Sequence, residues 1–227
     1  MRKFKIGLGE YYHVYNRGNN KQPIFLDYRD WVRFLFLVFY LQSSCVFYNL
    51  GRQVAYFVRH SVFNMDDEDK KEIKDKKITE IVAFCLMPNH FHLILREVKE
   101  GGISQYMQRL LNSYTKYFNT KYKRSGHLFQ GPFQYVHVAD NDQLLYLSTY
   151  IHRNPKDLEE SFIEGRQYLF SSLQDYIGDN RWEDLLAREI ILSQFDESNN
   201  YASFVEESTA KLPKETDSII EGEEEIC

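Results

Sequence analysis

The chain has 227 residues, 43% of them hydrophobic and 16% aromatic, which suffices for one buried core with decorations. No apolar stretch reaches the ~20 residues that span a bilayer, "MRKFKIGLGEYYHV" lacks the apolar segment of a secretory signal, and three widely spaced cysteines (Cys45, Cys85, Cys227) form neither a disulfide framework nor a zinc knuckle, which fits a reducing cytoplasm. The net charge of −5 does not exclude nucleic acid, because residues 1–156 carry 23 Lys+Arg against 14 Asp+Glu (net +9) and residues 157–227 carry 5 against 19 (net −14).

In chain order, "EYYHVYNRG" (10–18) predicts a strand closed by Gly18. "DYRDWVRFLFLVFYLQ" (27–42) has helical apolar spacing and opens with Asp27 as N-cap. Residues 43–80 read as an insertion of uncertain shape, with the charge run "DDEDKKEIKDKK" as a solvated loop or helix. "ITEIVAFCLMPNHFHLILREV" (78–98) predicts an antiparallel hairpin turning at Pro88-Asn89. A helix follows from about Ser104, with Met107, Leu110, Leu111, Tyr114 and Phe118 on one face. A loop over 123–133, a short strand over 133–138 and a last helix from Asp140 to Pro155 complete the body. The order β-α-(insertion)-β-β-α-β-α predicts an α+β fold, an antiparallel sheet with helices on one face. Residues 157–195 read as a helical extension and 196–227 as an acidic, disordered tail.

His90 and His92 stand two apart in a strand and therefore project from one face, with Phe91, Leu93 and Leu95 on the other. That suits two imidazole ligands on one metal, although a bare His-x-His is more often a hydrated sheet surface. In "TYIHRNP", Tyr150 and Asn154 share a helix face at i, i+4 spacing. Asn154 offers an amide oxygen as third ligand, or simply ends the helix. Tyr150 offers a phenolic nucleophile, with Tyr146 one turn earlier as its rival. With a pKa near ~10, a tyrosine needs roughly 4 kcal/mol to ionise fully at pH 7. A metal beside a phosphate reduces that demand by stabilising the charge that develops during attack. Cys85 reads as core rather than ligand.

The segments "YYHVYNRGNNKQPIF" (11–25), "FCLMPNHFHLIL" (84–95), "GGISQYMQRLLNSYTKYFNTKYKRSGHLFQGPF" (101–133) and "YIHRNP" (150–155), in this order and spacing, resemble the single-tyrosine HUH transposases, particularly the REP-associated kind. "YLFSSLQDYIG" (168–178) looks like the segment that follows in such proteins. The resemblance implies a ferredoxin-like catalytic domain over 1–156 that nicks single-stranded DNA next to a hairpin. It implies His90 and His92 as metal ligands, Tyr150 as nucleophile, and a 5′-phosphotyrosine with a free 3′-hydroxyl as the intermediate. Asn154 stands where many relatives have glutamine, and the metal implied is Mg²⁺ or Mn²⁺. The partner would be single-stranded or hairpin DNA, and the protein a monomer or homodimer. The alternative is a descendant that grips hairpin DNA without cutting it.

Between Glu100 and Asp140 there is no acidic residue. Arg109, Lys116, Lys121, Lys123 and Arg124 are candidate phosphate contacts, with Arg17 and Lys21 of "NRGNNKQ" near the site. His127, Phe129 and Gln130 extend this surface, and Tyr117, Tyr122, Phe129 and Phe133 are candidates for stacking on bases. His13, His127 and His137 have structural or phosphate-contacting roles before ligand roles.

Overall fold

The computed structural model describes residues 5–158, 168–196 and 198–209. Strand β1 (Tyr11–Arg17) ends at Gly18, whose amide donates to the Asn89 carbonyl at 2.7 Å. Only glycine fits there, since a Cβ would stand 2.1 Å from the Gln22 carbonyl oxygen. Helix α1 (Tyr28–Tyr40) starts as the sequence predicts. The Asp27 side chain accepts from the Asp30 amide at 3.1 Å and Asp30 accepts from the Asp27 amide at 3.3 Å, a capping box. The insertion contains α2 (Leu50–His60) and α3 (Asp67–Asp75). The charge run is thus a solvated helix, N-capped by Asp66 and anchored by buried Ile73.

Strands β2 (Thr79–Met87) and β3 (His90–Glu97) form the expected hairpin. Glu97, at its end, accepts from the amides of Gly101, Gly102 and Ile103 and so caps α4 (Gly102–Lys121). After β4 (Gln134–Val138), α5 (Asn141–Arg153) is N-capped by Asp140 and runs into a 3₁₀ turn at Asn154–Asp157. Helices α6 (Leu173–Ile177), α7 (Glu189–Leu192) and α8 (Ser198–Glu207) follow.

The sheet is antiparallel with the order β2-β3-β1-β4, an α+β arrangement of ferredoxin-like connectivity. Alternation sends Phe84 and Phe91 to one face, where they meet Phe39 and Phe34 of α1 at ring-centroid distances of 5.6 and 5.1 Å. Helix α4 packs on this same side, placing Tyr114 4.9 Å from Phe34. The expectation of helices on one face holds for α1 and α4. Helix α5 departs from it, since Tyr150 meets His92 on the opposite face.

The stretch expected to be a disordered tail is partly built in. Tyr201 and Val205 of α8 are buried, and Tyr201 Oη meets His152 Nδ1 of α5 at 2.6 Å and Ser148 Oγ at 3.0 Å. His152 Nε2 meets Ser172 Oγ at 2.7 Å, and Ser172 bonds the Phe84 backbone of β2. The large apolar residues here, Tyr201, Phe204 and Val205, are few, and the surrounding acids mask them in a compositional reading. Residues 210–227, the rest of that stretch, lie outside the described residues.

Asp30 is fully buried and accepts from Tyr117, Tyr122 and Lys121 at 2.9, 2.6 and 2.6 Å. Asp30→Ala is expected to cost about 3 kcal/mol in chemical denaturation, the lower end for a broken buried pair, because Lys121 keeps Asp27. A second expectation concerns acid. Burial holds His152 down at about 3, against 6.5 when exposed. Between those values the unfolded chain binds a proton that the folded chain does not, so stability falls as pH drops through this window. The effect is up to about 1.4 kcal/mol per pH unit for each such histidine. A melting temperature that stays flat from pH 7 to 4.5 would contradict the neutral buried imidazole.

Candidate active site

The register of the sheet sets His92 between Tyr15 of β1 and Cys85 of β2, and His90 between Arg17 and Met87. The two imidazole centroids are 5.0 Å apart with planes at 87°. Each Nδ1 is engaged: that of His90 meets Asn89 Oδ1 at 2.6 Å, and that of His92 meets His13 Nε2 at 2.9 Å. An amide oxygen only accepts, so His90 carries its proton on Nδ1 and keeps a lone pair on Nε2. His92 Nε2 is buried and has no hydrogen-bond partner. Burial, reinforced by Arg17, holds the His90 pKa down at about 4. Burial, then His90 and His13, holds His92 well below its usual value. Both rings are therefore neutral at neutral pH, the form that ligates a metal.

Tyr150 reaches this face from α5, its half-buried ring set edge-on to His92 at 5.6 Å and 89°. Its rival Tyr146 is 45% exposed. Tyr15, also beside His92, is buried, and burial pushes its hydroxyl up to about 12. Asn154 donates from Nδ2 to the Tyr150 carbonyl at 3.0 Å, which ends the helix and leaves Oδ1 for another partner. It stands close enough to His90 to act on that imidazole, offsetting part of the lowering of its pKa. A cavity of ≈ 100 Å³ opens onto the two histidines, lined also by Tyr15, Asn16, Arg17 and Gln130.

Among the described residues no three His, Cys, Asp or Glu side chains form a ready metal cluster. The fit to a divalent ion rests on two imidazole nitrogens and the Asn154 amide oxygen, with the partnerless His92 Nε2 as the strongest sign. Paired imidazoles accept zinc, and an open set completed by oxygen donors also admits Mg²⁺ or Mn²⁺. Cys85 is core, its thiol buried and pushed up by burial.

The candidate DNA residues separate into two groups. Arg17 lines the cavity, and Lys21, Lys116, Lys123, Arg124, His127 and Gln130 are exposed, with Arg124 also donating to Gln22 Oε1 at 3.1 Å. Arg109 instead donates to the Ser43 and Cys45 carbonyls, and Lys121 is bound by Asp27 and Asp30. These two cations hold the fold together and are spent before any phosphate arrives. The stacking candidates are likewise engaged: Tyr117 and Tyr122 bond Asp30, while Phe129 and Phe133 are 6% exposed. Tyr114 and Phe118 are core, and His137 pairs with Glu10 at 2.8 Å. A groove of ≈ 450 Å³ runs between α4 and the 127–133 loop, next to the cavity through Gln130 and Gly131.

Two residues stand out that motif reading leaves without a role. His13, read there as structural or phosphate-contacting before ligand, is the partner of His92, a pairing visible only once β1 is registered against β3. Arg153, three residues after Tyr150, has a buried guanidinium nitrogen without a hydrogen-bond partner.

Residues 55–154 match the family model described as "Transposase IS200 like". A solved structure described as "Structure of the REP associates tyrosine transposase bound to a REP hairpin" is similar over 78% of this chain and 84% of its own, at 15% identity and a TM-score of 0.43. No curated protein matches the sequence. The matched segment runs from α2 through β2, β3, α4 and β4 to the end of α5 and contains His90, His92 and Tyr150; over these residues the chain is similar to the IS200-like transposases.

Proposed function

We propose that this protein is a metal-dependent single-stranded DNA endonuclease and strand transferase that cuts next to DNA hairpins through Tyr150. The family match supports a transposase-like function in general. The observation that carries the finer reading is the meeting of Tyr150 with His92, whose buried Nε2 lacks a partner, beside His90 and Asn154.

In this reading the Tyr150 hydroxyl oxygen attacks a backbone phosphorus. The new oxygen–phosphorus bond forms as the bond from phosphorus to the 3′ oxygen breaks. The phenolic proton is lost to solvent, and the departing 3′ oxygen takes up a proton to become a hydroxyl. The 5′ phosphate stays on Tyr150, which conserves the phosphodiester energy for reversal by a 3′-hydroxyl of another strand. His90, His92 and Asn154 would hold a divalent ion, Mg²⁺ or Mn²⁺, which when bound supplies positive charge to the phosphoryl oxygens. Arg17, in the cavity wall, would add a cation beside the same phosphate.

Incubation with Mn²⁺ and a pool of hairpin-bearing single-stranded DNAs should give a covalent protein–DNA band on a denaturing gel. Tyr150→Phe should abolish it, and His90→Ala should reduce it by at least about a hundredfold, the scale of one lost charge-stabilising group. A band that survives Tyr150→Phe moves the chemistry to another tyrosine, Tyr146 first. A DNA that binds and gives no band favours a non-cleaving hairpin binder.

The division of the cations gives a separate expectation. Lys123→Ala and Lys116→Ala should each lower the slope of log affinity against log salt by about 0.7 on single-stranded DNA, the loss of one phosphate contact. Arg109→Ala should leave that slope unchanged while lowering the denaturation midpoint, because its guanidinium is bound to the Ser43 and Cys45 carbonyls.

A further inference from the structure

His13 lies on the central strand β1 with 2% of its surface exposed, and His92 faces it from β3 with none. Their rings are nearly parallel (19°), with His13 Nε2 2.9 Å from His92 Nδ1. One proton is shared across this contact, and its position decides what His92 can do. If His13 donates, His92 Nδ1 is the acceptor and its proton sits on Nε2, which then faces the cavity as a donor. Either tautomer leaves Nε2 without a protein partner, but an Nε2 that carries the proton has no lone pair for a cation. If His92 donates, its Nε2 presents a lone pair to the cavity, and His13 serves as the acceptor that keeps it there.

We infer that His13 is a positioning residue that fixes His92 in the Nδ1–H form and aims its Nε2 at the divalent-metal site. This inference rests on the metal-site reading above. Metal-bound histidines are commonly oriented by a carboxylate or carbonyl acceptor on the other ring nitrogen. A neutral imidazole takes that place in this protein. The choice of acceptor has a physical effect: it orients His92 without placing a negative charge beside the site. Asn89 Oδ1 does the same for His90, so both imidazoles are oriented by neutral partners.

The test compares Mn²⁺ binding, followed by electron paramagnetic resonance of the free ion, in wild type, His13→Phe and His13→Gln, with His90→Ala as a control for the site. Glutamine retains an acceptor near the position of Nε2, whereas phenylalanine keeps a ring without one. His13→Phe should weaken Mn²⁺ binding about 10–100-fold and His13→Gln should stay within a few-fold of wild type. Nitrogen-15 imidazole shifts of the metal-free wild type should show His92 protonated on Nδ1, a readout that stands even where His13→Phe does not fold. Unchanged Mn²⁺ affinity in folded His13→Phe, or a His92 proton on Nε2, overturns the inference alone. Wild type that binds no Mn²⁺, or binds it equally in His90→Ala, overturns the metal-site reading and the inference with it.

Discussion

A strand can show only every second side chain to either of its faces, and on β3 that constraint shapes everything around it. Phe91, Leu93 and Leu95 must go into the core against α1 and α4, so His90 and His92 are forced together onto the opposite face. A register slip of one residue would bury the histidines among phenylalanines and expose the core. The register is pinned at both ends of the hairpin: Gly18 bonds Asn89 beside the site, and Glu97 caps α4 at the far end. The chemistry of the site is thus tied to the same alternation that pays the cost of folding.

Burial at this face has a cost and a use. His13 and His92 are both almost fully enclosed, so neither takes up a second ring proton at neutral pH, and the one hydrogen each ring carries must find a defined partner. Enclosure thereby turns flexible titratable groups into oriented lone pairs. Tyr150 sits differently: its ring is half-buried and set edge-on to His92.

Much of this was legible in the chain. The hairpin, the Asp27 cap and the one-faced histidine pair are local patterns, governed by residues within a few positions of each other. What was not legible depends on distant partners. Arg109 and Lys121 read as phosphate contacts because no acid lies near them in sequence, yet Asp27, Asp30 and the Ser43 and Cys45 carbonyls reach them across the fold. Phe129 sits in a glycine-rich loop that reads as exposed, and packs instead against Phe91 and Tyr114. His13 shows as a partner of His92 only after two strands 79 positions apart are paired. Charge counted along a chain overstates what a ligand meets, because the fold draws first on the same cations.

The bonds at His152 have a mechanical consequence for Tyr150, two residues earlier on α5. With one imidazole nitrogen tied to Tyr201 and the other to Ser172, the helix is clamped from behind to both α8 and the edge of the sheet. Rolling α5 about its axis to carry Tyr150 away from His92 would break both bonds and pull on Tyr201, which is itself buried. The phase of the helix is therefore not a local variable. Any large excursion of Tyr150 becomes the motion of a body that includes α5, α6 and α8, heavier and stiffer than a single turn of helix.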